Sequence, residues 1–161
     1  MDGVDLQLVG ALRENGRASW AELGRLVGMS GPSVQERVRR LEEQGVITGY
    51  QAVVSAPALG LSVSALVDFY QGDDVDGDDV VEQLRDIVEV EDCWYVAGDE
   101  NFVVKVRAGD VTGLESVVAK LRRVRGISRT RTTVVLATNW EGRPLPPVVD
   151  AAASTPSPSV G

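Results

Sequence analysis

Residues 30–50 read SGPSVQERVRRLEEQGVITGY, and the fold turns on how this stretch is read. Ser30 can cap a helix N-terminus, Pro32 sits in the first turn where its missing N–H costs nothing, and Gly45 stops the helix. Val34, Val38 and Leu41 recur at helical spacing and form one apolar stripe. Ser33, Glu36 and Arg40 then face away from it, with Gln35, Arg37 and Arg39 on the flanks. Glu36 and Arg40 are spaced for an i,i+4 ion pair. Three arginines on one short helix need a reason in a chain whose net charge is −8.

Working back from Ser30, GMS (28–30) is a three-residue turn containing glycine. Before it, Ser19 and Glu22 form a capping box for a helix with Leu23, Leu26 and Val27 on one face. Leu6, Val9 and Leu12 mark a first helix that closes at ENGR (14–17). Two short helices across a glycine turn describe a helix-turn-helix. Its second helix can offer hydrogen-bonding side chains to base edges and arginines to phosphates, which makes double-stranded DNA the expected partner. Within residues 17–40 five Arg face two Glu, so a positive face survives in an acidic chain.

Working forward, VITGYQAVV (46–54) is rich in β-branched residues and is expected to be a strand, with SAPALG (55–60) a connection. Strand, helix and strand then follow twice. The expected strands are 61–70, 90–98, 101–108 and 127–138. One helix carries Val80, Val81, Leu84, Ile87 and Val88, the other Leu114, Val117, Val118 and Leu121. The fold class is therefore α+β: an N-terminal helix-turn-helix domain plus a C-terminal βαββαβ ferredoxin-like domain. Both helices lie on one sheet face. The open face, which Trp94 or Tyr95 can join, is expected to be apolar and to find a partner. The expected organisation is 1–50 DNA-binding, 51–60 strand and linker, 61–138 effector and oligomerisation domain, and 139–161 an extension, disordered from about 144.

The strings NGRASWAELGRLVGMS, ERVRRLEEQGVITGY, VAGDENFVVKVRA and TRTTVVLAT, in this order and spacing, resemble the leucine-responsive regulatory protein/AsnC (feast/famine) family of transcription factors. The resemblance implies a regulator whose DNA binding or assembly responds to a small effector, an amino acid. It implies a homodimer that assembles to higher oligomers, up to octamers, with the effector at the interface between dimers. DNA-binding positions fall on Ser30, Ser33, Gln35, Arg37, Arg39 and Arg40. The family's effector loop commonly reads Gly-Asp-x-Asp-aromatic; here it is Gly98, Asp99, Glu100, Asn101 and Phe102, with an amide in place of the second carboxylate. An amide still accepts from an α-ammonium but brings no charge. Further positions that shape the response fall on Val111 and on Thr133, Val134 and Val135.

Other chemistry is excluded or set aside. The chain has no histidine, which removes Ser-His-Asp and Cys-His catalysis, His-ligated zinc and the usual haem ligand. No nucleophile–base constellation appears, so an enzyme is not expected, and no cofactor or metal is called for. GDDVDGDD (72–79) lacks the spacing and terminal glutamate of a calcium loop and reads as a solvated acidic loop. Cys93 reads as a packed small side chain. One cysteine and no apolar run of membrane-spanning length fit a cytoplasmic, nucleoid-associated protein without membrane contact. An architectural DNA-binding protein with little effector dependence is the alternative within the same fold.

Overall fold

The computed structural model describes residues 1–72 and 77–143. The described residues divide into two compact units, Met1–Ala52 with residues 140–143, and the described part of Val53–Asn139. The expected disordered tail from 144 and the centre of the acidic loop lie outside the described residues.

The first unit holds α1 (Gly3–Glu14), α2 (Trp20–Val27) and α3 (Gly31–Glu43). Each starts on a side-chain cap. Asp2 and Asp5 form a capping box for α1, Ser19 and Glu22 one for α2, and Ser30 accepts from Ser33 N–H at the head of α3. The core is Leu8, Leu12, Leu23, Val34 and Val38, with Val4, Ala11, Val27 and Ile47 packed against it. The α3 stripe is as expected, with Val34, Val38 and Leu41 all buried. On α1, Leu12 is buried as expected, but its buried companion is Leu8, while the expected Leu6 and Val9 are only half-buried. On α2, Leu26 is exposed.

α2 ends on Gly28, whose positive φ (70°) supplies the left-handed cap that lets Met29 N–H reach Gly24 C=O at 2.9 Å. Gly24 is the other obligatory glycine. A Cβ there would stand 2.5 Å from the Met29 carbonyl oxygen, so the turn closes directly onto the bare α2 backbone.

The expected strand at 46–54 does not form. A strand needs a backbone ladder, and among the described residues no segment pairs with this one. Instead Val46 and Ile47 N–H both reach Leu41 C=O, at 2.9 and 3.1 Å, and Ile47 packs into the helical core. The Tyr50 hydroxyl donates to Glu42 at 2.7 Å. Burial, followed by the Glu42 carboxylate, pushes the Tyr50 phenol up to about 12. Val53 and Val54 remain exposed.

In the second unit, a 3₁₀ turn (Pro57–Leu59) leads to β1 (Val63–Gln71), α4 (Gly77–Arg85), β2 (Val90–Tyr95), β3 (Phe102–Ala108), α5 (Val111–Leu121) and β4 (Ile127–Val135). The sheet is antiparallel with order β2-β3-β1-β4, the βαββαβ plan expected from the sequence. β2 and β4 each stop three residues short of their expected ends. One face carries Ala65, Val67, Phe69, Val104 and Val106 against Val80, Leu84, Leu114, Val117 and Leu121 of the helices. Helix α4 closes at Arg85, so Ile87 and Val88 fall beyond it, and Val88 is exposed.

The other sheet face differs from expectation. Strand register puts Trp94 on it and Tyr95 on the helical side, edge-on to Phe102. It is not an apolar face. Asp68 takes Arg131 at 2.7 Å, and Glu91 takes both Lys105 and Arg107 at 2.7 Å. Asp68 and Lys105 are buried under these neighbours, so the ion pairs themselves roof the sheet.

Candidate DNA interface and effector site

The α3 arginines have three different surroundings. Arg37 Nη1 donates to Asp2 Oδ2 and Asp5 Oδ1, both at 2.7 Å. It is partly buried, and those two carboxylates raise its pKa. The Asp2 carboxyl is held low first by the Asp5 backbone N–H and then by Arg37. One arginine thus ties the capping box of α1 to the middle of α3. Arg39 is gripped along its own helix, by Glu36 at i−3 and Glu43 at i+4. This replaces the expected Glu36–Arg40 pair. It leaves Arg40 with no ion partner among the described residues, next to Gln44 in a cleft that Asp2, Asp5 and Arg37 also line.

The remaining candidates are exposed. Ser30 and Ser33 hydroxyls lie 2.8 Å apart at the head of α3, and Gln35 has no side-chain partner among the described residues. The groups available to an outside acceptor or donor are therefore Ser33, Gln35 and Arg40. The sequence reading did not single out Asp2 and Asp5. Their partner stands 35 and 32 residues away, which local spacing cannot reveal.

The candidate effector residues fall at two ends of the sheet. Gly98, Asp99, Glu100 and Asn101 join β2 to β3 at the end where Phe69 pairs with Phe102. Thr133, Val134 and Val135 pair with Leu66, Ala65 and Ser64 toward the other end. Val111 opens α5 just after Ala108, which pairs with Val63 at that same far end. From Thr130, beside Phe69, to Val135 is five residues, or about 17 Å of strand. One chain does not bring the two sets together.

Within the loop, Asn101 is already engaged. Its Oδ1 accepts from Gln71 N–H at 2.8 Å, and its own N–H donates to Phe69 C=O at 2.8 Å. The amide prolongs the β1–β3 ladder past its last residue pair. Glu100 folds beneath Gly98, where an added Cβ would meet its carboxylate at 3.6 Å, an ordinary contact. Cys93 lies on the groove between α4 and β2 with Val81, Leu84 and Tyr95, and its residue is exposed rather than packed away. Burial of the sulfur still pushes its thiol up, away from the reactive thiolate. Among the described residues there is no cluster of three or more metal-ligating side chains, and no helix is long and apolar enough to cross a membrane.

Comparison with known proteins accounts for both units. The AsnC-type helix-turn-helix domain matches residues 1–42, and the Lrp/AsnC ligand binding domain matches residues 62–145. The chain belongs to the Lrp/AsnC family. It is 39% identical over 143 residues to the HTH-type transcriptional regulator LrpA of Mycobacterium tuberculosis, covering 89% of this chain and 95% of that one. It is 34% identical over 141 residues to the leucine-responsive regulatory protein of Escherichia coli, covering 84% and 85%. A feast or famine regulatory protein from M. tuberculosis, solved in complex with L-methionine, superposes with a TM-score of 0.86 at 39% identity, covering 91% of this chain and 99% of that one. This Lrp/AsnC protein is thus a transcriptional regulator with a DNA-binding helix-turn-helix, and not an enzyme.

Proposed function

We propose that α3 enters the DNA major groove, with Ser33, Gln35 and Arg40 reading base edges or holding phosphates. Arg37 and Arg39 hold the helix in place. The observation that carries this reading is the division of labour on α3: two arginines are consumed by carboxylates, and the groups left exposed are Ser33 and Arg40, facing away from the apolar stripe, with Gln35 on its flank. Two copies acting as a dimer would require half-sites spaced by a helical turn or a multiple of it.

The effector is an amino acid seated between copies. The loop Gly98–Asn101 comes from one chain, and Val111 with Thr133–Val135 from another. The separation of about 17 Å along β4 and the L-methionine bound to the M. tuberculosis relative support this arrangement. Asn101 serves the sheet in this arrangement, which leaves Asp99 and Glu100 to meet an α-ammonium. A thermal-shift screen of the twenty amino acids, run at low and high protein concentration, tests it. A ligand held between copies raises the melting temperature more at high concentration. Operator binding measured with and without that ligand then tests coupling. Identical DNA affinity in both conditions would leave an architectural DNA binder.

A further inference from the structure

The most basic stretch of the chain lies outside the helix-turn-helix. Residues 120–131, KLRRVRGISRTR, hold six of the sixteen Lys and Arg and no Asp or Glu. Three of the six are engaged: Lys120 with Glu89, Arg131 with Asp68, and Arg129 with its guanidinium 3.9 Å above the centre of the Tyr70 ring. Arg122, Arg123 and Arg125 are exposed, and their side chains have no partner among the described residues. They occupy the turn between α5 and β4.

That turn is held firmly. Arg125 N–H donates to Gln83 Oε1 at 2.9 Å, and its carbonyl accepts from Gln83 Nε2 at 3.3 Å. Gly126 C=O accepts from Gly72 N–H at 2.9 Å. Arg122 and Arg129 meet across a cleft of about 370 Å³ lined also by Ser128 and Thr130. Three guanidinium groups on a fixed turn, with Arg129 beside them at the start of β4 and no acid in the run to quench them, repel one another; a polyanion relieves that repulsion. The planar guanidinium fork matches phosphate oxygens. The α3 helix, by contrast, leaves only Arg40 of its three arginines unpaired.

We propose that the α5–β4 turn is a second DNA-contacting surface. Arg122, Arg123, Arg125 and Arg129 hold backbone phosphates there without reading sequence. The proposal rests on the DNA-binding reading of the helix-turn-helix and extends it to the effector unit.

The test uses the full chain and a random-sequence duplex, with affinity measured by fluorescence polarisation over a salt series. Each lost phosphate contact should flatten the plot of log affinity against log salt by about 0.9. The triple variant Arg122→Ala/Arg123→Ala/Arg125→Ala should therefore lose about 2–3 units of slope. The matching triple Arg→Lys variant should keep the slope, which separates lost charge from lost folding. An unchanged slope in the Ala variant overturns the proposal. An Arg40→Ala arm keeps the two readings apart. If Arg40→Ala weakens binding while the triple variant does not, the turn alone is refuted. If the wild type binds no DNA at low salt, the helix-turn-helix reading falls as well.

Discussion

Gly24→Ala is the most informative single substitution in the helix-turn-helix. In an ordinary helix interior this change stabilises, by about 1 kcal/mol, because alanine has the higher helix propensity. Here the new Cβ would sit 2.5 Å from the Met29 carbonyl oxygen, and that atom is backbone. The turn must retreat by about half an ångström or more, and the 2.9 Å bond from Met29 N–H to Gly24 C=O is strained with it. Overpacking of this kind costs about 1–3 kcal/mol, and a weakened backbone hydrogen bond about 0.5–1.5 more. Subtracting the propensity gain leaves a net loss of about 1–3 kcal/mol. For a unit this small each kcal/mol moves the midpoint by roughly 4–8 °C.

Gly10→Ala is the internal control. It also lies within a helix, but nothing stands within 4 Å of its added Cβ. It should raise stability by about 0.5–1 kcal/mol. Thermal unfolding of both variants, followed by far-UV circular dichroism on the full chain, should show shifts of opposite sign. Gly24→Ala should also weaken DNA binding well below its midpoint, because the same contact fixes how α2 meets α3. If Gly24→Ala raises the midpoint as Gly10→Ala does, the close approach is not what shapes the turn.

Arg37→Gln and Asp5→Asn should both lower the unfolding midpoint of the first unit while leaving the ratio of specific to random DNA affinity unchanged; competition binding assays decide this. Arg40→Ala should instead erode that ratio, by about 1–3 kcal/mol if it reads a base. Asn101→Leu leaves Gln71 N–H without its acceptor and should cost about 1–3 kcal/mol of stability. Asn101→Asp keeps an acceptor there, so calorimetry should find a folded protein with altered amino-acid preference. Two carboxyls of the second unit are held below the ordinary 4.5. For Glu89 the cause is the hydrogen bond from Lys120; for Glu91, burial works the other way but Lys105 and Arg107 outweigh it. Their contribution is present above 4.5 and is lost as pH falls below it through the folded values. A midpoint that does not decline on acidification would refute those pairings, and Glu91→Gln should make the decline shallower.

Features with a local cause were legible in the sequence. The α3 stripe follows from Val34, Val38 and Leu41 at i, i+4 and i+7, and the caps follow from Ser19, Glu22 and Ser30 at fixed offsets. The order of strands and helices came from alternating periodicities. On α1 the period fits Val4, Leu8, Ala11 and Leu12 as well as Leu6, Val9 and Leu12, and only Leu12 is common to both. What decides between them is the packing of Leu8 against Leu23 and Val34, far along the chain. The segment 46–54 carries real β propensity, but propensity supplies no partner ladder. Asn101 resembled a ligand group because its loop did; its bonds to Gln71 and Phe69 depend on how β1 lies beside β3. Gly24 did leave a signal, a glycine inside a well-capped helix, which is where a close backbone approach is to be sought.

A guanidinium paired at 2.7 Å with a carboxylate contributes little field beyond a few ångströms, so Arg37 and Arg39 cannot draw DNA toward an acidic protein. What they can do is fix α3: Arg37 binds it to the head of α1, and Arg39 braces its exposed side along the axis. On the proposed reading, a helix so held offers Ser33 and Arg40, with Gln35 on its flank, in fixed positions, which favours discrimination between base pairs over raw attraction. On the same reading, attraction comes from cations that nothing among the described residues neutralises. Outside α3 the described residues present a cluster of those at Arg122, Arg123 and Arg125. On the proposed reading, separating the two tasks lets a chain of net charge −8 select DNA sites without coating nucleic acid indiscriminately.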